Sequence, residues 1–527
     1  MEEWGSRPDL RWGEKQALMA SRRDELNAYT FAKKRTLAAF LQPSPTGSEE
    51  GAPRPLRAFL PSMIMGVLVL AVFGAWGMFQ PKAPPGWDAP GTRVIVGKDS
   101  TTRYVVLKTG KKSRLHPVLN LASARLLMNG ADYKVIQVSD GILDAGKPPR
   151  GPIIGIPYAP DRLPSPDEAG RSKRWAVCEQ PGSEGRTTQE ATFVLADREA
   201  DRMNGSRRLD TGEVLYVKTR TGTRHLVDAA GTAYEVTGAE GDLLADALVG
   251  PTRKPQLVTK EWLATLHRGS PIRFPRLPRS VGDPADASDQ LSSEENRVGM
   301  VLKAETGEGV KHFVVLPGKV QPITEFTAWL LTNSRQTARL NMDGEARTVG
   351  LQDFESADGT FEGEAAKWPR HRTVQVNSGT SGTGRDTVCS VLRNVDDEGG
   401  TTLSTWAGTK YPADIGAGGT STYVTPGTGL LYTQVRGTQT KTGSLFLVTD
   451  TGLRYAVQAN GDSDSEKSDI GSDGEPKTTD GSPEPSEAQV KLGYKNVRPA
   501  KVPLPWSDFL AKGPRLDTNS ARQPQGS

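Results

Sequence analysis

Apolar positions in this chain follow three patterns: one unbroken run, many strand-length clusters, and polar stretches with neither. The unbroken run is Phe59–Phe79, FLPSMIMGVLVLAVFGAWGMF, which carries no charged side chain. As a helix rising about 1.5 Å per residue it reaches about 31 Å, close to the thickness of a bilayer's hydrocarbon core. A buried core helix of this length would carry a polar stripe, and this one has only Ser62 near its start. A cleaved signal peptide would be shorter, closer to the N-terminus and followed by a small-residue cleavage site, which AWGMFQPK does not offer. The run predicts a retained single-pass transmembrane helix over 58–80. Arg54 and Arg57 precede it, with Lys33, Lys34 and Arg35 further back, against Lys82 and the distant Arg93 behind it. That bias predicts an inner (plasma) membrane protein with a cytoplasmic N-terminus and most of the chain outside.

Before the span, Asp24–Leu41 places Leu26, Tyr29, Leu37, Phe40 and Leu41 at roughly helical spacing, with basic residues on the other faces. The pattern predicts a basic amphipathic helix. Its candidate contacts to an anionic membrane surface or an acidic partner are Arg22, Arg23, Tyr29, Phe31, Lys33, Lys34 and Arg35; a solvated helix is the alternative. Met19 reads as a candidate true start. Pro43–Pro55 is a linker into the span, and Pro81–Gly91 a stiff one out of it.

After the span the strand-length clusters repeat. Four windows align without gaps: Tyr104-VVLKT-Gly110-KKSR-Leu115, His225-LVDAA-Gly231-TAYE-Val236, His312-FVVLP-Gly318-KVQP-Ile323 and Phe446-LVTDT-Gly452-LRYA-Val457. Gly110, Gly231, Gly318 and Gly452 stand where a hairpin needs positive φ. Candidate strands precede the windows at Arg93–Val96, Val214–Val217, Val298–Leu302 and Leu430–Val435, and helical stretches follow at Leu119–Met128, Leu243–Leu248 and Phe326–Leu331. The glycines lie about 120, 90 and 135 residues apart, too irregular for a solenoid, so the insertions must carry structure of their own. The predicted fold is α+β: a single transmembrane helix, then an elongated extracytoplasmic domain of four strand-rich repeat modules around a disulfide-linked central domain.

The corresponding map assigns 1–57 to the cytoplasmic segment, 58–80 to the membrane helix and 81–150 to the first repeat. The central region has two parts, 151–205 and 341–425. Repeats two and three occupy 206–255 and 296–340, joined by a connector at 256–295. The fourth occupies 426–516 with an acidic, Ser/Gly-rich disordered insertion at 461–488, and 517–527 is a disordered tail.

Composition adds two constraints. Gly (57) and Pro (38) are abundant, which favours turns and short strands over helical bundles, and a net charge of +4 gives no footprint for nucleic acid. The two cysteines, Cys178 and Cys389, both follow the span, and an even extracytoplasmic count suits one disulfide. Paired, they would close a loop of about 210 residues, worth about 5 kcal/mol at most in the chain-entropy model; two unrelated buried thiols are the alternative.

Catalytic signatures are sparse. The five histidines have no metal-ligand spacing and no nucleophile elbow occurs, so no catalytic residue and no metal site is assigned. Gly379-TSGT-Gly384-Arg385 has the glycine frame of a phosphate-binding loop, but Arg385 and Asp386 stand where that loop has Lys and Ser/Thr. Gly379, Gly384 and Arg385 are therefore weak nucleotide candidates, ATP the one cofactor to test, and a flexible loop the better account.

SRRDELNAYTFAKKRTLAAFL before the span, LHPVLNLASARLL (Leu115–Leu127) after the first glycine turn, and the terminal LGY…VPLPWSDFLAKGPRLD together resemble the EccB family of the type VII (ESX) secretion apparatus of actinobacteria. The resemblance runs from about Met19 to Leu516. It implies a short cytoplasmic N-terminus, one membrane helix and a periplasm-facing domain of four repeats around a disulfide-bearing core. It also implies assembly with an EccC-type motor ATPase, an EccD-type multispan subunit, an EccE-type subunit where present and the mycosin protease, as a homo-oligomer among membrane lipid. The function expected is a structural, membrane-anchored subunit supporting protein export. The alternatives are an ATP-hydrolysing ectodomain, since some family members carry an ATPase label, and a cell-wall-binding membrane protein.

Overall fold

The computed structural model describes residues 22–41, 55–79, 83–130, 133–182, 187–238, 240–379, 384–415, 421–440, 442–458 and 485–525. Met19, the linker before Pro55 and most of the acidic stretch lie outside them. The chain forms two compact units, Met1–Lys82 and Ala83–Ser527.

In the first unit, Arg22–Leu41 and Pro55–Phe79 are helices. Phe59–Gly77 is long and apolar enough to cross a membrane, and protein buries none of it; a surface that apolar is stable against hydrocarbon, not water. The first helix is less segregated than its spacing predicts. At about 100° per residue, Leu26, Tyr29, Leu37, Phe40 and Leu41 share an arc of about 120°, but Arg22 and Lys33 fall inside that arc and Phe31 lies opposite. The large apolar side chains of this helix, Phe31 included, are all exposed, and only Ala38 is buried.

The described residues of the second unit form five sheets. Four share one plan: an antiparallel meander of three strands, a short helix, then a strand that returns parallel to the first. The meanders are Arg93–Gly97, Arg103–Thr109 and Lys112–Val118; Glu213–Lys218, Arg224–Val227 and Thr232–Glu235; Val301–Thr306, Gly309–Leu316 and Lys319–Ile323; and Gly429–Val435, Leu445–Thr449 and Leu453–Ala456. The helices that follow are Leu121–Leu126, Gly241–Val249, Glu325–Thr332 and Glu487–Lys491. The returning strands are Lys134–Val138, Gln256–Leu257, Arg347–Thr348 and Ala500–Pro503, each parallel to the first strand of its meander. The turn glycines Gly110, Gly231, Gly318 and Gly452 have φ of 60°, 77°, 73° and 78°, a region that favours a residue without Cβ.

A second parallel pairing closes each third strand: Val118 with Ile154, Val236 with Ile272, Val320 with Ser356 and Val457 with Leu516. The partners are 36 residues apart in three sheets and 59 in the fourth. The surplus falls where the sequence carries its acidic stretch, so the same spatial plan is kept around an insertion.

The fifth, central sheet is assembled from two hairpins distant in sequence. Its order is Thr401–Gly408, Thr387–Val395, Arg174–Pro181, Thr188–Leu195 and Thr422–Val424. Shared apolar cores give the packing order of the five. Helix residues Phe326 and Leu330 after the third meander pack with Tyr216 and Leu226 of the second sheet. The other face of the second sheet, with Val217 and Trp262, joins Trp175 and Val177 of the central sheet and Tyr432 and Trp506 of the fourth. The fourth in turn shares Leu431, Tyr455 and Leu492 with Val105 and Leu126 of the first. The order in space is third, second, central, fourth, first.

Several boundaries differ from those predicted. The 256–295 connector is partly sheet: Gln256–Leu257 and His267–Arg268 complete the second sheet, strands too short to show a period. Val374–Gln375, assigned to the central region, also pairs with the second sheet. The third meander starts at Val301 rather than Val298, because Gly299 at φ 88° interrupts extended backbone. Within the stretch assigned to disorder, Glu487 and Ala488 begin a helix capped by the Ser486 side chain. The tail is ordered through residue 525. Asp517 caps the helix Thr518–Ala521, Ala521 is buried in the core shared by the first and fourth sheets, and Pro524 bridges Ile154. Its polar composition conceals this because capping side chains, not apolar ones, hold it.

Two of the turn glycines separate backbone strain from crowding. A Cβ on Gly318 would meet nothing within 4 Å, whereas one on Gly231 would lie 2.7 Å from Leu403 Cβ. Gly318→Ala should lower the stability of the full-length protein in detergent by about 1 kcal/mol, and Gly231→Ala by clearly more. Equal losses in denaturant titrations would remove the crowding contribution.

Candidate functional site

The chain's two cysteines meet in the middle of the central sheet. Cys178 and Cys389 lie directly opposite on adjacent antiparallel strands, bonded at 2.05 Å with Cα atoms 4.0 Å apart, and both are fully buried. One strand comes from the segment between the first and second meanders, the other from the segment between the third and fourth. The disulfide therefore clamps two insertions into one body. On its face lie Phe193, Met203 and Trp406.

The next residue, Glu179, points to the opposite face and is completely buried. Its carboxylate accepts from the Thr259 hydroxyl and, at 3.0 Å, from the Thr259 backbone N–H. Thr259 in turn caps the helix Lys260–Leu263, accepting from the Trp262 N–H at 3.1 Å, while the Trp262 indole donates to the Val177 carbonyl at 3.0 Å. A carboxyl thus fastens the central sheet to the second sheet's connector. Burial pushes Glu179 up to about 7; the Thr259 bonds oppose this, and the charges of Glu190 and Glu261 add to it. Glu190 is its cross-strand neighbour and is also raised, chiefly by burial. A charged residue inside the run RWAVCEQP is the signal by which the sequence could have drawn attention to this position.

The nucleotide candidates are not arranged as a phosphate cradle needs. Residues 380–383 lie outside the described set. Gly384 has φ 69°, and a Cβ on Gly379 would stand 2.8 Å from the Lys254 carbonyl oxygen. The Arg385 guanidinium donates to the carbonyls of Ala407 (3.0 Å) and Arg207 (2.9 Å) and lies 3.7 Å from Glu213. Thr387–Val395 follows as a strand, where a phosphate loop delivers its ligand to a helix N-terminus. Arg385 is engaged in joining the central sheet to its neighbours. Among the described residues no His, Cys, Asp or Glu group converges as a metal site.

The partner-contact candidates Arg22, Arg23, Tyr29, Phe31, Lys33, Lys34 and Arg35 all lie on the first helix and all are exposed. The structure gathers cations, aromatic rings and exposed large apolar side chains on one helix.

The family described as "Type VII secretion system ESX-1, transport TM domain B" matches residues 18–526. The ESX-3 secretion system ATPase EccB3 of Mycobacterium tuberculosis is 27% identical over 498 residues, covering 89% of this chain and 83% of that protein. The ESX-1 secretion system ATPase EccB1 of Mycolicibacterium smegmatis is 28% identical over 289 residues, 53% of this chain and 55% of that one. Among solved structures, a chain of the periplasmic assembly from the ESX-5 inner membrane complex aligns at a TM-score of 0.56 and 19% identity, over 84% of this chain and 98% of that one. The EccB3 dimer from the ESX-3 core complex gives 0.54 and 22%, over 82% and 99%.

Two outcomes follow from the central sheet. Replacing both Cys178 and Cys389 with Ser should lower the melting temperature of the full-length protein, with a loss of up to about 5 kcal/mol; an unchanged melt would show that the bond contributes nothing. For Glu179 the folded value is raised, so its contribution is fully present below about pH 4.5 and is lost as pH rises through about 7. Glu179→Gln should match the parent near pH 5 and exceed it by up to about 3 kcal/mol above pH 8. Parallel stability–pH curves would contradict the assignment.

Proposed function

The chain belongs to the EccB family of the type VII secretion apparatus, and from that premise we propose that it serves as a membrane-anchored structural subunit of the export complex. The observation that carries this reading is the extent of the family match, 18–526, which takes in both helices of the first unit and the whole five-sheet unit. The four meanders with the shared plan are, in this reading, four copies of one module around a disulfide-clamped centre. The helix Pro55–Phe79 anchors the protein, with Arg22–Leu41 on the cytoplasmic side and the sheets outside, as the flanking charges favour.

The exposed cations and rings of Arg22–Leu41 suit contact with the motor ATPase, the multispan subunit or the anionic inner leaflet. The outer unit suits contact with further copies, an EccE-type subunit and the mycosin protease. ATP turnover is assigned in this reading to the motor. What supports that choice is the engagement of Arg385 with two backbone carbonyls, and the strand that stands where a phosphate-binding helix would begin.

Tagged full-length protein, purified from native membranes in mild detergent and sized, should elute in a very large particle with a motor ATPase and a multispan subunit. Removal of residues 24–41 should release it from that particle while it stays in the membrane fraction. Elution as a lone protein hydrolysing ATP, with the activity lost on Arg385→Ala, would replace the structural reading with the enzymatic one.

A further inference from the structure

Several buried and half-buried arginines in this fold are neutralised by a carboxylate. Arg224 pairs with Asp242 at 2.8 Å, Arg454 with Asp508 at 3.0 Å, and Arg385 approaches Glu213 at 3.7 Å. The disulfide-bearing face of the central sheet holds arginines without such a partner. Arg174 and Arg393 lie on adjacent strands there, and Arg208, after the helical turn Gly205–Arg207, bridges by its backbone to Trp406 of the same sheet. Among the described residues no carboxylate lies within ion-pair distance of any of these three guanidiniums.

Arg393 is placed deliberately by the backbone. Strand register shifts between Leu392 and Asn394, so Arg393 is the extra residue of a β-bulge, a device that re-aims one side chain out of the ladder. Its guanidinium donates to Ser404 Oγ at 2.6 Å, Asn204 Oδ1 at 2.6 Å and the Met203 carbonyl at 2.8 Å. All three acceptors are neutral. They fix the plane of the fork and leave its charge unbalanced. Burial, and then the charges of Arg174 and Arg208, push Arg393 down to about 10.

Arg174 is half-buried and makes one long bond, 3.4 Å, to the Arg393 carbonyl, while its Nε is buried with no partner. Burial lowers it as well, Asp197 opposes that from beyond ion-pair distance, and Arg208 adds repulsion. Arg208 is exposed, giving the cluster an opening to solvent. Like charges gathered in partly desolvated surroundings destabilise the fold unless an anion joins them. Rigid guanidinium forks match the paired oxygens of a tetrahedral oxyanion better than a spherical halide.

We propose that Arg174, Arg208 and Arg393 form a binding site for a phosphate-type oxyanion, either free phosphate or the phosphodiester of a lipid headgroup or envelope polymer. Arg393 is the positioned floor of the site, Arg174 supplies unused donors, and Arg208 is the gate residue that meets the ligand first. The site does not depend on the assembly role proposed above.

The test is thermal unfolding of the full-length protein in a non-ionic detergent, titrated with sodium phosphate against sodium chloride at matched ionic strength. A saturable rise of about 3 °C is expected with phosphate at a hundredfold excess over its dissociation constant, and none with chloride. Arg393 also holds three structural partners, so the variant to use is Arg174→Gln combined with Arg208→Gln. With the repulsion relieved it should melt no lower than the parent in chloride, and it should lose the phosphate response. A parallel titration with glycerophosphoglycerol separates the sources: a response to the diester alone indicates a headgroup or polymer, and a response to inorganic phosphate alone indicates the free ion. No response to either in the parent, or an undiminished response in the double variant, overturns the proposal.

Discussion

The second unit is built around one strand pairing, Arg174–Pro181 against Thr387–Val395, whose bonded cysteines are separated by 211 positions along the chain. Bringing such distant segments together has a large loop-closure entropy cost, which a covalent link removes from the unfolded ensemble. The pairing does more than close a loop. It fixes a sheet whose two faces have different tasks: one side carries Trp175 and Val177 into the core shared with the second and fourth sheets, and the other buries the disulfide among Phe193 and Trp406. The second and fourth meanders gain their mutual positions from that sheet, while the first is joined through the core it shares with the fourth and the third through the helix it packs on the second.

Local features were legible in the sequence and long-range ones were not. The long apolar helix could be read from a run without charge, because the length and composition that would suit hydrocarbon are local properties of sequence. The meanders could be read because each needs a residue free of Cβ at the same turn, and Gly110, Gly231, Gly318 and Gly452 supply it. The spatial order of the sheets had no such signature, as it arises from cores that join residues such as Leu126 and Leu492. Strands of two residues, as at Gln256–Leu257, are too short to alternate visibly. The tail was misjudged because Asp517 and its neighbours are held by caps and bridges that hydropathy does not register. Among site residues, the cysteine pair was legible by count. Glu179 could have been singled out as a charge inside a buried run. Arg393 could not, because a bulge is a property of two strands and not of one.

The same organisation explains why the functional reading rests on surfaces and not on a pocket. Side chains that could do chemistry are engaged in joining parts: Glu179 holds a helix cap, Arg385 ties backbone carbonyls of neighbouring segments, and Tyr494 donates to the Pro164 carbonyl at 2.9 Å to link the fourth sheet with the segment before the central one. A subunit whose polar groups are committed to internal joints presents a rigid body to its neighbours. Rigidity of that kind suits a structural subunit whose neighbours dock on fixed surfaces.

The sharing of one core between the first and fourth sheets also sets a timetable for biosynthesis. Val94 and Val105 leave the ribosome early, yet the residues that cover them, among them Ala488, Leu516 and Ala521, come last. At about 5–20 residues per second, the roughly 390 positions between Val94 and Ala488 take about 20–80 s to make. Throughout that interval part of the earliest sheet's core waits uncovered, since only early residues such as Leu126 and Ile154 are there to pack on it. An export chaperone would find its client there, and a chain released prematurely would betray itself by that same open face, giving quality-control proteases a mark of incompleteness that the finished molecule erases.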